Sequence, residues 1–395
     1  MRILLITTSL PHLRKNGAET ATMNLIAAIL AAGHTCEVVG YGRAGETDAL
    51  PAGFHSAGTW PIEVENAGAR AYVWMIAALL TGKPYITTKF RSAAMTRLLR
   101  RMLAAKSYDA VIVNHAHMAW VLDEPLLPRR RIAVAHNVEW QLYAAMGADP
   151  KASPVRRFVY GREARLVKAL ETRLATTSAQ IWTLTEADAD GFRALGARSA
   201  PIVLGIPGQA FAALDRPAVP RLDIGILGNW AWDVNRKGLE WFIEAVVPLL
   251  PPSLSIGIAG NRADLVPNPY GNVRYFGFVP DAGAFLRDCR VLAVPTQVGG
   301  GIQIKTIEGI SAGVPMVTTP LGLRGITEVP DFVHVEPSAE GFAARLSAIA
   351  QGPNCVDTSE GSRWAEARAA GFQRSMRAAL DALAAKGPAQ IAGTT

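Results

Sequence analysis

From Gly299 to Pro315 the chain reads GGGIQIKTIEGISAGVP, a glycine-rich turn that leads into a predicted helix at 302–312. The apolar run at 291–295 before it predicts a strand. Three glycines let the backbone approach a ligand closely, and the exposed start of the helix suits a phosphate group. Glu308 lies further along that helix, where a carboxylate can reach a ribose diol. We interpret the stretch as a nucleotide site; the alternative is a plain strand–turn–helix with Glu308 on a solvated face.

Apolar runs alternate with helical patterns on both sides of this stretch. In the second half of the chain they predict strands at 224–228, 254–259, 273–276, 291–295 and 314–318. In the first half they predict strands at 3–7, 36–40, 110–113, 132–135 and 181–184. Strands separated by helices are typical of parallel βαβ units. We therefore predict an α/β protein of two Rossmann-like, doubly wound domains, with a ligand cleft between them at the carboxyl ends of the strands.

A proline-containing stretch without periodicity separates the two halves. We predict an amino-terminal domain over residues 1–205, a linker over 206–222, a carboxyl-terminal domain over 223–360 and a final helix over 361–386.

A second polar feature follows the first strand of the carboxyl-terminal domain. The triplet GNW at 228–230 ends that strand and contains Asn229, and NRKG at 235–238 opens the next predicted helix. Arg236 and Lys237 can hold a diphosphate and stabilise the charge that grows on it as a sugar leaves. The alternative is a solvated, basic helix start.

In this order and at this separation, the motifs resemble glycosyltransferase family 4. The resemblance is best over residues 224–325, with NVRYFGFVPD at 272–281 and PMVTT at 315–319, and weaker in NGAE at 16–19 and AHNVE at 135–139. It implies the GT-B fold, with the donor in the carboxyl-terminal domain, the acceptor in the amino-terminal domain and the final helix packed back on the latter. It also implies a retaining transfer of a hexose from a UDP- or GDP-sugar to a glycan or lipid-linked acceptor, without a metal or other cofactor, in bacterial polysaccharide or glycolipid assembly.

The resemblance also assigns roles to individual residues. Lys237 resembles the family's phosphate-binding lysine, and Glu308 resembles the glutamate that binds the nucleotide ribose. Gly17 resembles the glycine of the flexible loop after the first strand, and His136 resembles the histidine that contacts the donor sugar. His136, Lys237 and Glu308 are thus the candidate catalytic residues. The candidate donor-binding residues are Gly17, Asn229, Arg236, Lys237, Gly299, Gly300, Gly301, Lys305 and Glu308.

The sequence departs from the family pattern at two positions. The family has a pair of glutamates separated by seven residues, but the position eight before Glu308 is Gly300, and many members have arginine where this chain has Asn229. A branch with a glycine-rich loop has a lysine three residues before the second glutamate, which makes Lys305 a candidate phosphate or sugar contact. Because the first glutamate is missing, a catalytically inactive nucleotide-sugar-binding module is an alternative.

Positive charge is concentrated in the amino-terminal half of the chain. The net charge is +7, and residues 70–173 alone contain 18 basic and 7 acidic side chains. This asymmetry favours an anionic partner. The segment from Lys89 to Leu103 has apolar residues on one helical face and arginines off it, which we interpret as a helix lying on an anionic membrane. The alternative is a core-facing helix with a solvated basic side. No nucleic-acid-binding module is visible, so nucleic acid is not a predicted partner.

The chain shows no targeting or membrane-spanning pattern. Its first apolar run is too short for a signal peptide, no apolar stretch approaches the roughly 20 residues of a spanning helix, and no two cysteines form a C-x-x-C pair. We predict a cytoplasmic protein that can lie peripherally on the inner face of the membrane.

Two motifs mimic metal sites. His115 and His117 can face the same side of a strand, but two isolated histidines are more typical of a polar cleft or a surface. Asp188-Ala189-Asp190 resembles the D-x-D of metal-dependent transferases, yet Thr185 three residues earlier predicts a helix cap.

One further motif mimics a dinucleotide site. GYGRAG at 40–45 matches the glycine fingerprint and has Glu63 about 20 residues further on, but Pro51 and Gly53 follow too soon for a helix. An NAD-dependent nucleotide-sugar epimerase or dehydrogenase is therefore the weaker enzyme alternative.

Overall fold

The computed structural model describes residues 1–63, 66–150, 152–208, 220–354 and 358–385. The chain forms two compact units: unit 1 contains Met1–Gly205 and the segment from Gln373 onward, and unit 2 contains Ile206–Phe372. Residues 209–219 of the predicted linker, and position 386 at the end of the predicted final helix, lie outside the described residues.

Unit 1 contains a parallel sheet covered by helices. Its strands are β1 Arg2–Ser9, β2 Thr35–Gly42, β3 Phe54–Thr59, β4 Ala110–Asn114, β5 Arg131–Ala135, β6 Gln180–Thr183 and β7 Ile202–Val203. Its helices are α1 Gly17–Ala31, α2 Ala69–Thr81, α3 Tyr85–Phe90, α4 Ala93–Ala105, α5 Glu139–Ala148, α6 Pro154–Thr177 and α7 Glu186–Ala194. The sheet order is β3-β2-β1-β4-β5-β6-β7.

Unit 2 repeats this architecture on a smaller scale. Its strands are β8 Leu222–Leu227, β9 Ile256–Ala259, β10 Val273–Gly277, β11 Cys289–Val294, β12 Met316–Thr318 and β13 Val333–Val335. Its helices are α8 Asp233–Trp241, α9 Ala282–Arg287, α10 Ile304–Ser311 and α11 Ala339–Gln351, and α12 Ser359–Ala385 follows. The sheet order is β10-β9-β8-β11-β12-β13.

Both sheets are doubly wound, as the alternation of strands and helices predicts. In unit 1 the strand order reverses between β1 and β4, and in unit 2 it reverses between β8 and β11. Loops diverge at such a switch point and leave a crevice at the carboxyl ends of the strands, where ligands bind in α/β proteins. The two candidate sites described below lie at these two positions.

Helix boundaries follow the capping residues. Ser153 accepts a hydrogen bond from the Arg156 amide at the start of α6, and Thr185 accepts one from the Asp188 amide at the start of α7. The helix-cap interpretation of the D-x-D mimic is therefore confirmed. The helix predicted to open at 235–238 begins slightly earlier, at Asp233. It ends at Trp241, and a π-helical turn and a 3-10 turn follow. Pro248 lies in that last turn, and its lack of an N–H prevents an α-helical bond there.

The interpretation of the basic segment from Lys89 to Leu103 as a lipid-facing helix is also wrong. Ser92 caps a helix, α4, that begins only at Ala93, and Lys89 is a buried residue of α3. The apolar face of α4 packs in the core of unit 1 through Met95, Leu98, Leu99 and Met102. The core-facing alternative is therefore correct. Within the described residues, no helix is both long and apolar enough to cross a bilayer.

Candidate functional site

The loop after β8 is fixed rigidly at the switch point of unit 2. The Trp230 indole is buried and donates its Nε1–H to the Ala259 carbonyl at 3.0 Å. A Cβ on Gly228 would come within 2.6 Å of the same indole, so glycine is needed for this packing. Asn229, between these residues, is exposed, and Asn235 donates from its side chain to the Asn229 carbonyl at 3.0 Å. The loop thus leads directly into the first turn of α8.

The glycine-rich turn packs against that first turn. Gly299 has φ +132°, a conformation that glycine adopts without strain, and a Cβ there would come within 3.0 Å of Val234 Cγ1. Gly300 and Gly301 follow it and are half-buried. Helices α8 and α10 both begin without a side-chain hydrogen bond to their first amides. Two sets of helix-start N–H groups therefore lie on either side of this contact, an arrangement suited to an anion.

Lys305 lies in the first turn of α10. Its ammonium group donates to Oδ1 of Asn235 at 3.4 Å and lies 5.7 Å from the centre of the Trp230 ring. Burial lowers the pKa of Lys305 to about 8. A cation at the positive end of a helix dipole is unfavourable unless an anion is nearby, and no described carboxylate forms an ion pair with Lys305. A bound phosphate would supply that anion.

Glu308 lies one turn further along α10. Its side chain is half-buried, and burial raises the pKa of its carboxyl group to about 7. Among the described residues, no donor forms a hydrogen bond with this carboxylate. A half-buried acceptor without a protein partner is chemically suited to a ligand diol.

The two basic residues of α8 differ in their surroundings. Arg236 forms ion pairs with Asp233 and Glu240 on its own helix. Lys237 lies on the exposed side of α8. Lys305, Gly299 and Asn229 thus contact α8 or the loop before it, through Asn235, Trp230 and Val234. The roles of all the predicted site residues, Glu308, Arg236 and Lys237 included, stay predictions.

The switch point of unit 1 contains a cavity of about 220 Å³. Residues from the end of β1, from the start of α1 and from the segment after β4 line it, together with Lys89 and Phe90 of α3. Lys89 donates to the Ile62 carbonyl at 2.6 Å. His115 and His117, the histidine pair considered as a metal mimic, both line this cavity.

His136 follows β5 and stacks on His115 with ring centres 3.9 Å apart. Asn114 donates from its amide to the hydroxyls of Thr7 and Thr22, so its Oδ1 accepts a hydrogen bond from His136 Nε2 at 3.0 Å. His136 therefore carries its proton on Nε2, which leaves Nδ1 as an acceptor. Burial lowers the pKa of His136 well below 6.5, so the ring is neutral at pH 7.

Gly17 is the first residue of α1 and is not part of the loop before it. Asn16 caps α1 by accepting from the Glu19 amide at 2.9 Å. Glu19 is buried, accepts from the Ser9 hydroxyl at 3.1 Å and forms an ion pair with Arg43 at 2.8 Å. The carboxylate of Glu19 therefore fixes the loop after β1.

The dinucleotide mimic at 40–45 has a structural role. Strand β2 runs through Gly40 and Gly42, and no helix opens after it before the next strand, β3. Arg43 in this motif forms ion pairs with Glu19, Glu46 and Glu63. Burial alone would lower the pKa of its guanidinium, but Glu63 and Glu19 outweigh burial and raise it. The geometry of a dinucleotide-binding turn is therefore absent from this segment, which the structure describes completely.

Sequence patterns missed two buried polar side chains that hold the His136 loop. Asn114 is one, and Glu171 in the middle of α6 is the other. Glu171 accepts from the amides of Glu139 and Trp140 and so caps α5 from a distance. Burial raises the pKa of Glu171 to about 8 and that of Glu139 to about 7. A polar residue at an interior helix position is the only sequence signal for Glu171.

No group of three or more metal-binding side chains is found among the described residues. The expectation of a metal-independent reaction stays a prediction.

Two family models match the chain. Residues 16–207 match the glycosyl transferase 4-like domain, and residues 221–351 match the glycosyl transferases group 1. No curated protein sequence is similar enough to this chain to count as a match.

Several solved structures share the fold. Sucrose-phosphate synthase from Thermosynechococcus elongatus superposes with a TM-score of 0.69 at 13% identity, over 98% of this chain and 100% of its own. Anabaena HepE, solved in complex with UDP and glucose, has a TM-score of 0.60 at 13% identity, over 97% and 100%. The lipopolysaccharide outer core galactosyltransferase WaaB has a TM-score of 0.58 at 11% identity, over 97% and 99%. The two family models and this shared architecture show that the chain is a glycosyltransferase of the family 4 type with the GT-B fold.

Proposed function

We propose that the chain transfers a hexose from a UDP- or GDP-sugar to a glycan or lipid-linked acceptor, with retention of the anomeric configuration and without a metal ion. The observation that carries the proposal is the contact of the glycine-rich turn with the first turn of α8. In it, Lys305 reaches Asn235 in the first turn of α8, and neither helix start has a side-chain cap, which supports an anion site here. The structure of HepE with UDP and glucose supports a donor of this chemical class.

Each group of the unit 2 site has a specific role in this proposal. The helix-start amides and Lys305 bind the diphosphate, and Glu308 accepts from the ribose hydroxyls. In the transfer, the bond between the anomeric carbon and the distal phosphate oxygen breaks, a bond to the acceptor oxygen forms, and the proton of the acceptor hydroxyl passes to the oxygen of the leaving diphosphate. Negative charge then grows on the diphosphate, where fixed N–H dipoles and a cation stabilise it more than they stabilise the intact donor.

The acceptor is assigned to unit 1 in this proposal. Its cavity is lined by hydroxyl, amide, carboxylate and imidazole groups, which match the hydroxyls of a sugar. His136 contacts the donor sugar, as the family resemblance implies. The similarity to a lipopolysaccharide galactosyltransferase supports a place in bacterial polysaccharide or glycolipid assembly. A cytoplasmic location on the inner face of the membrane belongs to the same proposal.

A thermal-shift screen tests the donor assignment. The full chain is heated with UDP, GDP, ADP or TDP and their common sugar conjugates, first without metal and then with EDTA. A ligand that binds only the folded state raises the melting temperature, by an added stability of ~2.7 kcal/mol at 100 times Kd. We expect one nucleoside diphosphate to raise it equally with EDTA. A shift with NAD and with none of these nucleotides would contradict the proposal.

The product tests retention. Proton NMR of the sugar that is transferred, or released slowly to water, is expected to show the anomeric configuration of the donor. An inverted product contradicts the retaining mechanism and leaves the donor assignment intact.

A further inference from the structure

Helix α2 carries an apolar surface that the rest of unit 1 does not cover. Trp74 and Ala78, one turn apart, are its buried residues. Six large apolar side chains around the remaining circumference are exposed, from 39% for Met75 to 83% for Leu80. These six, the α2 face, are Tyr72, Val73, Met75, Ile76, Leu79 and Leu80. A helix that is apolar on nearly all sides is normally enclosed by protein or lipid, so the α2 face needs a partner.

The charged side chains of the chain segment that contains α2 are of one sign. Residues 66–108 contain eight Lys or Arg and no Asp or Glu. Arg70 at the start of α2 and Lys83 just after its end are both exposed. A surface that combines exposed apolar side chains with a border of cations is complementary to anionic lipid.

A neighbouring helix continues this surface. Arg162 on α6 donates to the Ala78 carbonyl at 2.7 Å, which places α6 against the end of α2. One turn earlier on α6, Phe158 is 68% exposed and lies next to the exposed Arg157. The same combination of apolar and basic side chains therefore recurs beside α2.

The length of α2 and its charge restrict the kind of partner. With 13 residues, α2 is about 20 Å long, too short to span a bilayer. A two-fold contact between two copies would place the same surface on both sides, with the cations of one copy facing those of the other. The charge border thus disfavours self-association and favours an anionic surface.

We propose that α2 binds the chain to an anionic lipid bilayer. The α2 face enters the boundary between headgroups and acyl chains, and Arg70 and Lys83 contact the headgroups. This inference goes beyond the donor chemistry of unit 2 and does not depend on it.

Vesicle flotation of the full chain tests the proposal. The vesicles contain phosphatidylcholine alone or phosphatidylcholine with phosphatidylglycerol. We expect the wild type to float with the anionic vesicles. The variant Ile76→Gln/Leu79→Gln/Leu80→Gln is expected to bind at least about tenfold more weakly, because three apolar side chains no longer enter the bilayer. Arg70→Gln/Lys83→Gln is expected to lose the preference for phosphatidylglycerol. The matched control is Leu30→Gln/Leu126→Gln. These two leucines lie elsewhere in unit 1 and are exposed to the same extent as Leu79. The control variant is expected to float like the wild type.

Three outcomes would overturn the proposal: a wild type that ignores anionic vesicles, a triple variant that floats like the wild type, or light scattering that shows a dimer only when the α2 face is intact. The nucleotide-induced shift in melting temperature is recorded for every variant, so that a failure of the donor assignment is seen separately. Should the triple variant not fold, Leu80→Gln alone changes the most exposed side chain of α2 and is expected to weaken binding severalfold.

Discussion

Lys305 on α10 donates from its ammonium group to Oδ1 of Asn235 on α8, across 3.4 Å. The contact joins the first turns of two helices whose starts are free of side-chain caps. Because the partner is a neutral amide and not a carboxylate, it orients the cation without cancelling its charge. The positive charge is therefore available to a bound phosphate.

Replacing Lys305 by methionine is expected to weaken binding of the nucleoside diphosphate by about 10- to 100-fold, the value of a hydrogen bond to a charged group. Since the pKa of Lys305 is about 8, wild-type affinity should be constant below pH 8 and fall above it, and the variant should lack this fall. Titration calorimetry on both sides of pH 8 measures both effects. Arg345→Met on α11 is the control, and equal affinities of Lys305→Met and the wild type would remove the phosphate role.

Glu308→Gln tests the ribose contact. The wild type is expected to prefer UDP or GDP over the 2′-deoxy analogue, and the variant to lose most of that preference, because an amide is a weaker acceptor than a carboxylate. With the pKa of Glu308 at about 7, wild-type affinity should decrease as the pH falls through 7. Competition binding with both nucleotides supplies the measurement. If Glu308→Gln still prefers UDP or GDP over the 2′-deoxy analogue, Glu308 does not bind the ribose.

Gly299→Ala is expected to destabilise unit 2 by ~1–3 kcal/mol, because alanine is strained at φ +132° and its Cβ meets Val234. Gly300→Ala is the matched control: Gly300 is not among the glycines with positive φ, so its cost in stability should be below ~1 kcal/mol. Urea unfolding compares the two. Equal free energies of unfolding would show that the turn is not held in the conformation described.

Asn114→Ala is expected to lower transfer activity while leaving the nucleotide-induced shift in melting temperature intact. It removes the acceptor of His136 Nε2 and the donors to two threonine hydroxyls in unit 1, whereas the nucleotide site is in unit 2. Buried groups left without partners cost ~1–3 kcal/mol each, so the melting temperature should also fall. Asn24→Ala on α1 is the control, because the Asn24 side chain accepts an exposed hydrogen bond of 3.5 Å from Arg14. Unchanged activity would show that His136 needs no orientation by Asn114.

Arg43→Met leaves three carboxylates close together without their shared cation and should cost ~3–5 kcal/mol in unfolding free energy. Burial raises the pKa values of Glu46 and Glu63, but hydrogen bonds and charges from basic partners outweigh burial and hold both values below 4.5. For Glu63 the main partner is Arg43. The stabilisation is therefore present above the unfolded pKa near 4.5 and is lost as the pH falls through the lower folded values. The difference in unfolding free energy between wild type and variant should therefore be large at neutral pH and shrink at acidic pH. A difference that is the same at both pH values would contradict the ion-pair assignment.

Interior strands were predictable because parallel strands covered on both faces are continuous apolar runs. The prediction of 110–113 is within one residue of β4, an interior strand. Edge strands were predicted less consistently. The strand at 273–276 was predicted and is the edge strand β10, but β3 reads FHSAGT and has no buried residue, so no pattern distinguishes it from a loop. Periodicity found the apolar face of α4 but could not show what covers it, and the structure shows that the core does.

The candidate donor site was predicted where its residues are close in sequence, as in the glycine-rich turn and α10. The contacts that join it to α8 depend on residues about 70 positions apart and leave no local pattern. The buried partners of unit 1, Asn114 and Glu171, were missed for the same reason. Their hydrogen bonds to the His136 loop become visible only when the strands are placed side by side.

Unit 1 begins with the first residue of the chain but also contains the segment from Gln373 onward. There α12 buries Met376, Leu380 and Leu383, and Gln180 donates to the Ala379 carbonyl at 2.9 Å. During synthesis, residues 1–205 must therefore leave the ribosome with the apolar surface that α12 covers still exposed, while unit 2 is being translated. Helix α12, which is translated after the sheet of unit 2, completes the first unit, so the two units are coupled in the order of their folding.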